Sequence, residues 1–375
     1  MNLREYQAKH IFKNYGLRVP VGAIAADPSE AESTARTLGC PVVLKPQLGV
    51  KGRGKVGGIG FADDPPGARR EAERLFALTV KGEAVKTLLV EKRLSISEEL
   101  YVAVTIDYSA RQPVIIASST GGVDIEETAR AHPANVHRIP VNILHGIEPE
   151  MLARVEVRLG AGVSDTIKTL YRVFRDFDAE LVEINPLIRS RSGDLWAADA
   201  VLNINPDSVF RHDDLIPFKQ EIPVEDPIAE EASANSWTYI DLPGDIGILS
   251  SGAGLTMAIL DLIHKAGGKP ANFLDTAQMD DEGIYNAFDL LSRAKETRVL
   301  LVNVFAGLNR CDRLADGIRR YLEGSHKETP LVVRMVGNLE EEGHRILRDI
   351  GITPFTRLED AVDRAVQLAK TKRFF

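Results

Sequence analysis

Ile246-Gly247-Ile248-Leu249-Ser250-Ser251-Gly252-Ala253-Gly254-Leu255 runs from an apolar strand pattern, through a turn of serines and glycine, into the first residues of a helical pattern. The same handover recurs where strand 299–305 meets Ala306-Gly307-Leu308-Asn309-Arg310 and a helix over 312–323. Around these junctions the pattern predicts strands near Phe273 and over 331–336 and 352–355, and helices from Leu255 and over 285–295, 339–349 and 358–369. Strand and helix in alternation specify a parallel, doubly wound sheet with its ligand edge at the carboxyl ends of the strands. A strand–glycine–helix junction leaves unpaired N–H groups at the helix start and so favours an anion there. One such turn is often only steric; two in one sheet reinforce each other.

Toward the N-terminus the pattern changes. Strands are expected over 42–45, 85–91, 100–107, 114–118, 181–188 and 195–201, with amphipathic helices over 29–38, 66–77 and 151–176. The clearest hairpin joins 181–188 to 195–201 through Arg189-Ser190-Arg191-Ser192-Gly193-Asp194. This half is an α+β assembly. Pro223, Pro227 and a run of acids mark the boundary, giving a first domain over 1–222, a linker over 223–237 and a second domain over 238–375.

The chain has 375 residues, 44% hydrophobic and 27% charged, enough for two or three domains with sizeable cores. Its 46 basic and 54 acidic residues leave a net charge of −8, which repels a phosphate backbone and argues against nucleic acid as a main partner. No apolar run reaches the ~18–20 residues of a spanning helix, so no membrane is expected. Cys40 and Cys311 form neither a CxxC pair nor a zinc pattern, and with a polar start at Met1-Asn2-Leu3-Arg4-Glu5-Tyr6-Gln7-Ala8-Lys9 this fits a cytoplasmic protein. That start reads as an amphipathic helix of the fold.

Candidate chemistry concentrates in a few places. The stretch 47–58 packs five glycines and three cations behind the strand that ends at Lys45, and such a loop can wrap a polyphosphate or be only a basic hairpin tip. Lys45 ends an apolar run, where a lysine costs stability unless an anion pairs with it. Glu91 closes a second apolar run and Glu99 follows; either can accept from a ribose or an adenine amine, or stay merely exposed. Glu183 and Asn185, two apart in a strand, share a face, and Asp199 lies on the partner strand, so oxygen ligands can converge on Mg²⁺; a half-exposed polar sheet face fits equally well. All eight histidines are expected at the surface, and no nucleophile constellation is present, as if the chain carried half of a reaction.

The motifs Asn2-Leu3-Arg4-Glu5-Tyr6-Gln7-Ala8-Lys9, Gly52-Arg53-Gly54-Lys55-Val56-Gly57-Gly58, Ser119-Thr120-Gly121-Gly122-Val123-Asp124-Ile125-Glu126 and Glu183-Ile184-Asn185-Pro186-Leu187 closely resemble the β subunit of ADP-forming succinyl-CoA synthetase. Matches continue in colinear order through Gly252-Ala253-Gly254-Leu255, 267–275 and Arg310-Cys311-Asp312. The resemblance implies an N-terminal ATP-grasp domain followed by a flavodoxin-like CoA-ligase domain, with Mg²⁺ as cofactor and ATP and CoA as substrates. By matching position, Lys45, Gly52, Arg53, Gly54, Glu91, Leu94 and Glu99 hold the nucleotide, Asn185 and Asp199 ligate magnesium, and Glu183 stands beside a phosphorylated histidine. That histidine and the CoA site belong to a separate α subunit, in an αβ or α2β2 assembly. Pro20 agrees with relatives that use ATP.

Ser251, Gly307, Leu308 and Asn309 match positions for phosphate and the organic acid, and here the chain departs from the family. Ser251 replaces the usual asparagine, Thr276-Ala277-Gln278-Met279-Asp280 replaces a glycine triplet, and Leu308-Asn309 replaces an isoleucine–valine pair. The expected activity is therefore acyl-CoA formation from succinate or from another short acid, malate-like or sulfonate-bearing. A self-sufficient carboxylate–amine ligase and a nucleotide-binding partner without catalysis are the rival readings.

Overall fold

The structure is a computed structural model and describes residues 1–49, 57–80, 82–122, 125–221, 226–277, 280–324 and 329–371. It divides into two compact units, Met1–Pro223 and Val224–Phe375. The first carries three antiparallel sheets among the described residues, one of them only the pair Thr79–Val80 and Glu83–Ala84, and the second a mostly parallel one, giving an α/β protein.

In the first unit a small sheet runs in the order Gly22–Ala25, Leu88–Lys92, Val42–Pro46, Gly60–Ala62. Helices Pro28–Leu38 and Pro65–Phe76 pack on it through Ala31, Ala35, Ala68, Ala72 and Leu75, all fully buried. Alanine at the contact lets the helices approach closely. Each begins at an Asp–Pro pair. Asp27 accepts from the amides of Ser29 and Glu30, and Asp64 from that of Gly67, while proline at the first helical position loses no needed N–H.

The larger sheet is ordered Leu195–Ala197, Ala179–Ser190, Ile96–Asp107, Gln112–Ser118, Val136–Pro140, with Val201–Ile204 also paired to Ala179–Ser190. The expected hairpin is present, with Leu187 opposite Ala197, but its second arm is not one strand. Leu195–Ala197 and Val201–Ile204 pair with different parts of Ala179–Ser190, and Ala198, Asp199 and Ala200 connect them. Likewise the helix expected over 151–176 is two, Pro149–Leu159 and Val163–Asp176. Gly160 and Gly162 both take φ of +85° between them, a left-handed conformation that no continuous helix contains.

The second unit is ordered Thr238–Asp241, Asn272–Asp275, Ile246–Ser250, Val299–Ala306, Leu331–Gly337, parallel except for the first strand. Ile246, Ile248, Val299, Leu301 and Val332 join one core with helices Ala253–Lys265 and Leu358–Lys370. Leu249, Leu300, Val302, Val333 and Met335 join the opposite core with helices Asp281–Ala294, Cys311–Gly324 and Glu340–Asp349. Alternate residues thus serve alternate faces, as a doubly wound sheet requires. Residues 352–355 contribute only a bridge, Arg334 to Phe355, instead of a strand.

The stretch read as a linker is largely structured. Asp226 accepts from the amides of Ile228 and Ala229 at 2.9 and 3.1 Å, and helix Pro227–Ala234 follows. Ala232 and Trp237 are buried in the second unit's core. Pro227 marks a helix start here, a third Asp–Pro pair, where composition suggested a breaker.

Gly317 sits where helix Cys311–Gly324 crosses helix Asp281–Ala294, and a Cβ there would lie inside contact distance of Ile284 Cγ2 and the Asp281 carbonyl oxygen. Alanine gains about 1 kcal/mol of helix propensity, but a backbone carbonyl cannot step aside, and overpacking costs about 1–3 kcal/mol. We expect Gly317→Ala to lower the urea midpoint; a raised midpoint would show that the helices separate freely.

Candidate functional site

Four charged side chains of the first unit meet where helix Glu5–Asn14, the small sheet and residue Ala198 converge. Lys45 leaves strand Val42–Pro46 with 12% of its side chain exposed and reaches Glu5 Oε1 at 2.9 Å and Glu91 Oε2 at 3.0 Å. Lys9, 5% exposed, reaches Glu5 Oε1 at 2.7 Å and the two Glu91 oxygens at 2.6 and 2.7 Å. Both ammonium groups donate to the Ala198 carbonyl, Lys9 at 2.7 Å. The anion that Lys45 needs at the end of an apolar strand is thus supplied by the protein itself.

Burial draws Lys45 toward its neutral form, but the charges of Glu5, Glu91 and Asp199 outweigh it and hold its pKa above the ordinary lysine value. Lys9 is held below the ordinary value, by burial first and by the like charge of Lys45 against its carboxylates. Glu91 is 2% exposed. Both of its oxygens meet lysines, so in this structure it is their counter-ion, and a contact to ribose or adenine would compete with that role.

Ala198 also donates its amide to the Pro186 carbonyl at 3.2 Å, which brings Asn185 and Asp199 to either side of one hydrogen bond. Asn185 Oδ1 accepts from the Gly122 amide at 2.7 Å, and Asp199 Oδ1 accepts from the Ala200 amide at 2.8 Å. Both residues are half-buried. An amide oxygen and a carboxylate are hard donors suited to Mg²⁺. No group of three His, Cys, Asp or Glu side chains among the described residues is placed to hold a metal.

Val182 and Ile184 are fully buried while Glu183 and Asn185 turn to the other face, as the two-residue period predicts. Glu183 lies near Tyr101, whose phenol is pushed above its ordinary pKa by burial and then by the Glu183 charge. Glu99 is exposed, but its backbone carbonyl accepts from the Gly121 amide at 2.8 Å and its carboxylate crowds the space a Cβ at Gly122 would need. Leu94 is half-buried between strands Leu88–Lys92 and Ile96–Asp107. Gly52, Arg53 and Gly54 lie outside the described residues, as do Gln278 and Met279.

In the second unit Ser251 is half-buried in its turn, Gly252 has φ of +94° and donates its amide to Asp275 Oδ1 at 2.7 Å. Beneath it Ser250, Asn303 and Arg334 stand in register on adjacent strands. Asn303 donates to Ser250 Oγ and accepts from Arg334, both at 3.2 Å. At the second turn one of the expected free N–H groups is engaged. Leu308 is 81% exposed, and at the helix start the Cys311 amide already donates to the Asn338 carbonyl at 2.9 Å. That N–H is not available to an anion.

Not every histidine is at the surface. His344 is buried and bonds the Met335 carbonyl at 2.8 Å, and His212 lies 2.9 Å from Asp178. Glu5 and Lys9 are the site residues that pattern reading passed over, because a Glu–Lys pair four apart in a helix is the usual mark of a solvated face.

Two antiparallel sheets around a buried lysine cluster, with an oxygen pair alongside, define an ATP-grasp protein, and the second unit matches a CoA-ligase domain. The ATP-grasp domain family model covers residues 2–189 and the CoA-ligase model residues 249–368. The β subunit of succinate–CoA ligase (ADP-forming) from Ignicoccus hospitalis is 40% identical over 379 residues, covering 99% of this chain and 100% of that one. Its counterpart from Methanothermobacter thermautotrophicus is 39% identical over 377 residues, covering 99% and 100%. The chain belongs to the β-subunit family of ADP-forming succinate–CoA ligases. ATP citrate lyase from Methanothrix soehngenii, solved with citrate and coenzyme A, shares the fold, with a TM-score of 0.71 at 21% identity over 98% of this chain and 99% of that one. No helix among the described residues is long and apolar enough to cross a membrane.

Proposed function

We propose that this chain is the nucleotide-binding subunit of an ADP-forming acid–thiol ligase that works with an α-type subunit. The observation that carries this reading is the Lys45 ammonium on the Ala198 carbonyl, with Asp199 next along the chain and Asn185 joined to the same turn through the Ala198–Pro186 hydrogen bond. Lys45, Gly52, Arg53, Gly54, Glu91, Leu94 and Glu99 frame ATP in this reading. Asn185 and Asp199 hold the metal, which when bound neutralises phosphate charge. A histidine of the α subunit attacks the γ-phosphorus and ADP leaves, with Glu183 beside the imidazole. The acid's carboxylate then takes the phosphoryl group to give an acyl phosphate, and the CoA thiolate displaces phosphate to give the thioester. These residues act by position and charge, as phosphoryl transfer demands.

Ser251, Gly307, Leu308 and Asn309 are assigned to phosphate and the acid. The row Ser250–Asn303–Arg334 beneath the first turn, buried at Ser250 and Asn303 and half-buried at Arg334, favours a second reading of the acyl substrate. A wall rich in hydroxyl and amide groups suits an acid that carries its own hydroxyl or sulfonate, and a polar group left unmatched there costs about 1–3 kcal/mol, roughly tenfold to a hundredfold in kcat/KM. The test is a panel of short acids with the chain reconstituted with an α-type subunit. Acid- and CoA-dependent release of ADP supports the ligase; a highest kcat/KM for succinate rejects the hydroxyl- or sulfonate-bearing substrate and leaves the ligase in place.

A further inference from the structure

Each ammonium group of the buried cluster has three donors and at least three acceptors. Lys45 is met by Glu5 Oε1, Glu91 Oε2 and the Ala198 carbonyl, and Lys9 by Glu5 Oε1, both Glu91 oxygens and the same carbonyl. Lys45 therefore has no donor left for a phosphate in this arrangement. To bind one it must give up one of these three acceptors, and two of them are buried carboxylates, which are costly to leave without a cation. Lys9 removes that cost, because it touches the same carboxylates and carbonyl from helix Glu5–Asn14 and keeps them compensated when Lys45 turns away.

We propose that Lys9 is a positioning residue whose role is to hold Glu5 and Glu91 so that Lys45 is free to engage the nucleotide phosphates. The proposal rests on the nucleotide-binding reading above. It assigns Lys9 a place beside the reaction without contact to substrate. It also predicts an uncommon pattern: removal of Lys9 does harm because Lys45 is then trapped, so a second substitution that frees Lys45 should repair it.

The experiment is calorimetric titration of the full chain with ATP and Mg²⁺, alongside a melting curve for every variant. Lys9→Met should weaken ATP by about tenfold or more, Lys9→Arg should stay within about threefold of wild type, and Lys9→Met combined with Glu5→Gln should recover most of the loss. Lys9→Met with wild-type affinity, or a double variant as weak as the single, would overturn the proposal while leaving the nucleotide site intact. Should Lys9→Met not fold, Glu5→Gln alone decides: freeing Lys45 from one acceptor should leave ATP affinity equal or tighter, and a tenfold loss refutes the idea. Wild-type chain that binds no ATP with Mg²⁺ refutes the nucleotide reading itself.

Discussion

Asp199→Ala is expected to abolish magnesium-dependent ATP binding, a loss of at least about a hundredfold in affinity, with the melting temperature within a few degrees of wild type. The two halves of this expectation have separate causes. Asp199 is half-buried and accepts from the amide of the next residue, and truncating a half-buried side chain of this kind is expected to cost folding little. Its removal also leaves Lys9 and Lys45 balanced by Glu5 and Glu91, two charges against two. On the proposed reading the metal, in contrast, would lose its anionic protein ligand and keep the neutral Asn185. Titration with ATP in the presence and absence of Mg²⁺ measures the first and a melting curve the second, and an affinity unchanged with Mg²⁺ present would remove Asp199 from the metal site.

The second large effect is all-or-none. The chain alone should show no acid- and CoA-dependent turnover, and after incubation with γ-labelled ATP it should retain no acid-labile phosphate; adding an α-type subunit should start turnover and place the label on that partner. Part of the structural ground is the state of two histidines: His344 is buried on a backbone carbonyl and His212 faces Asp178, so both rings are already engaged. Label retained on this chain would mean that it carries its own nucleophile and would favour the self-sufficient ligase.

Much of the fold was legible because periodicity reports which face of an element is buried. Ile246 and Ile248 against Leu249, or Val182 and Ile184 against Glu183 and Asn185, needed no further information. Breaks were harder to see. Amphipathic spacing continues through Gly160-Ala161-Gly162 although the backbone there turns left-handed, and Asp226-Pro227 has the composition of a linker although it caps a helix. Hardest were partners distant along the chain. Lys9 meets Glu91, 82 residues away, and the Ala198 carbonyl, 189 residues away, and no local pattern marks either. Lys45, Asn185 and Asp199 could be picked out because each is polar at an apolar place, whereas Glu5 and Lys9 are disguised as an ordinary helix pair.

The carbonyl of Ala198 has a consequence for how such a site is inherited. It accepts from both lysines, yet it belongs to the peptide backbone, so no substitution at position 198 can delete it. Any residue small enough for that nearly buried spot would supply the same oxygen. One of the anchors of the cluster is therefore written in the path of the chain and not in its letters. It can pass unchanged through sequence drift that erases every visible mark of it.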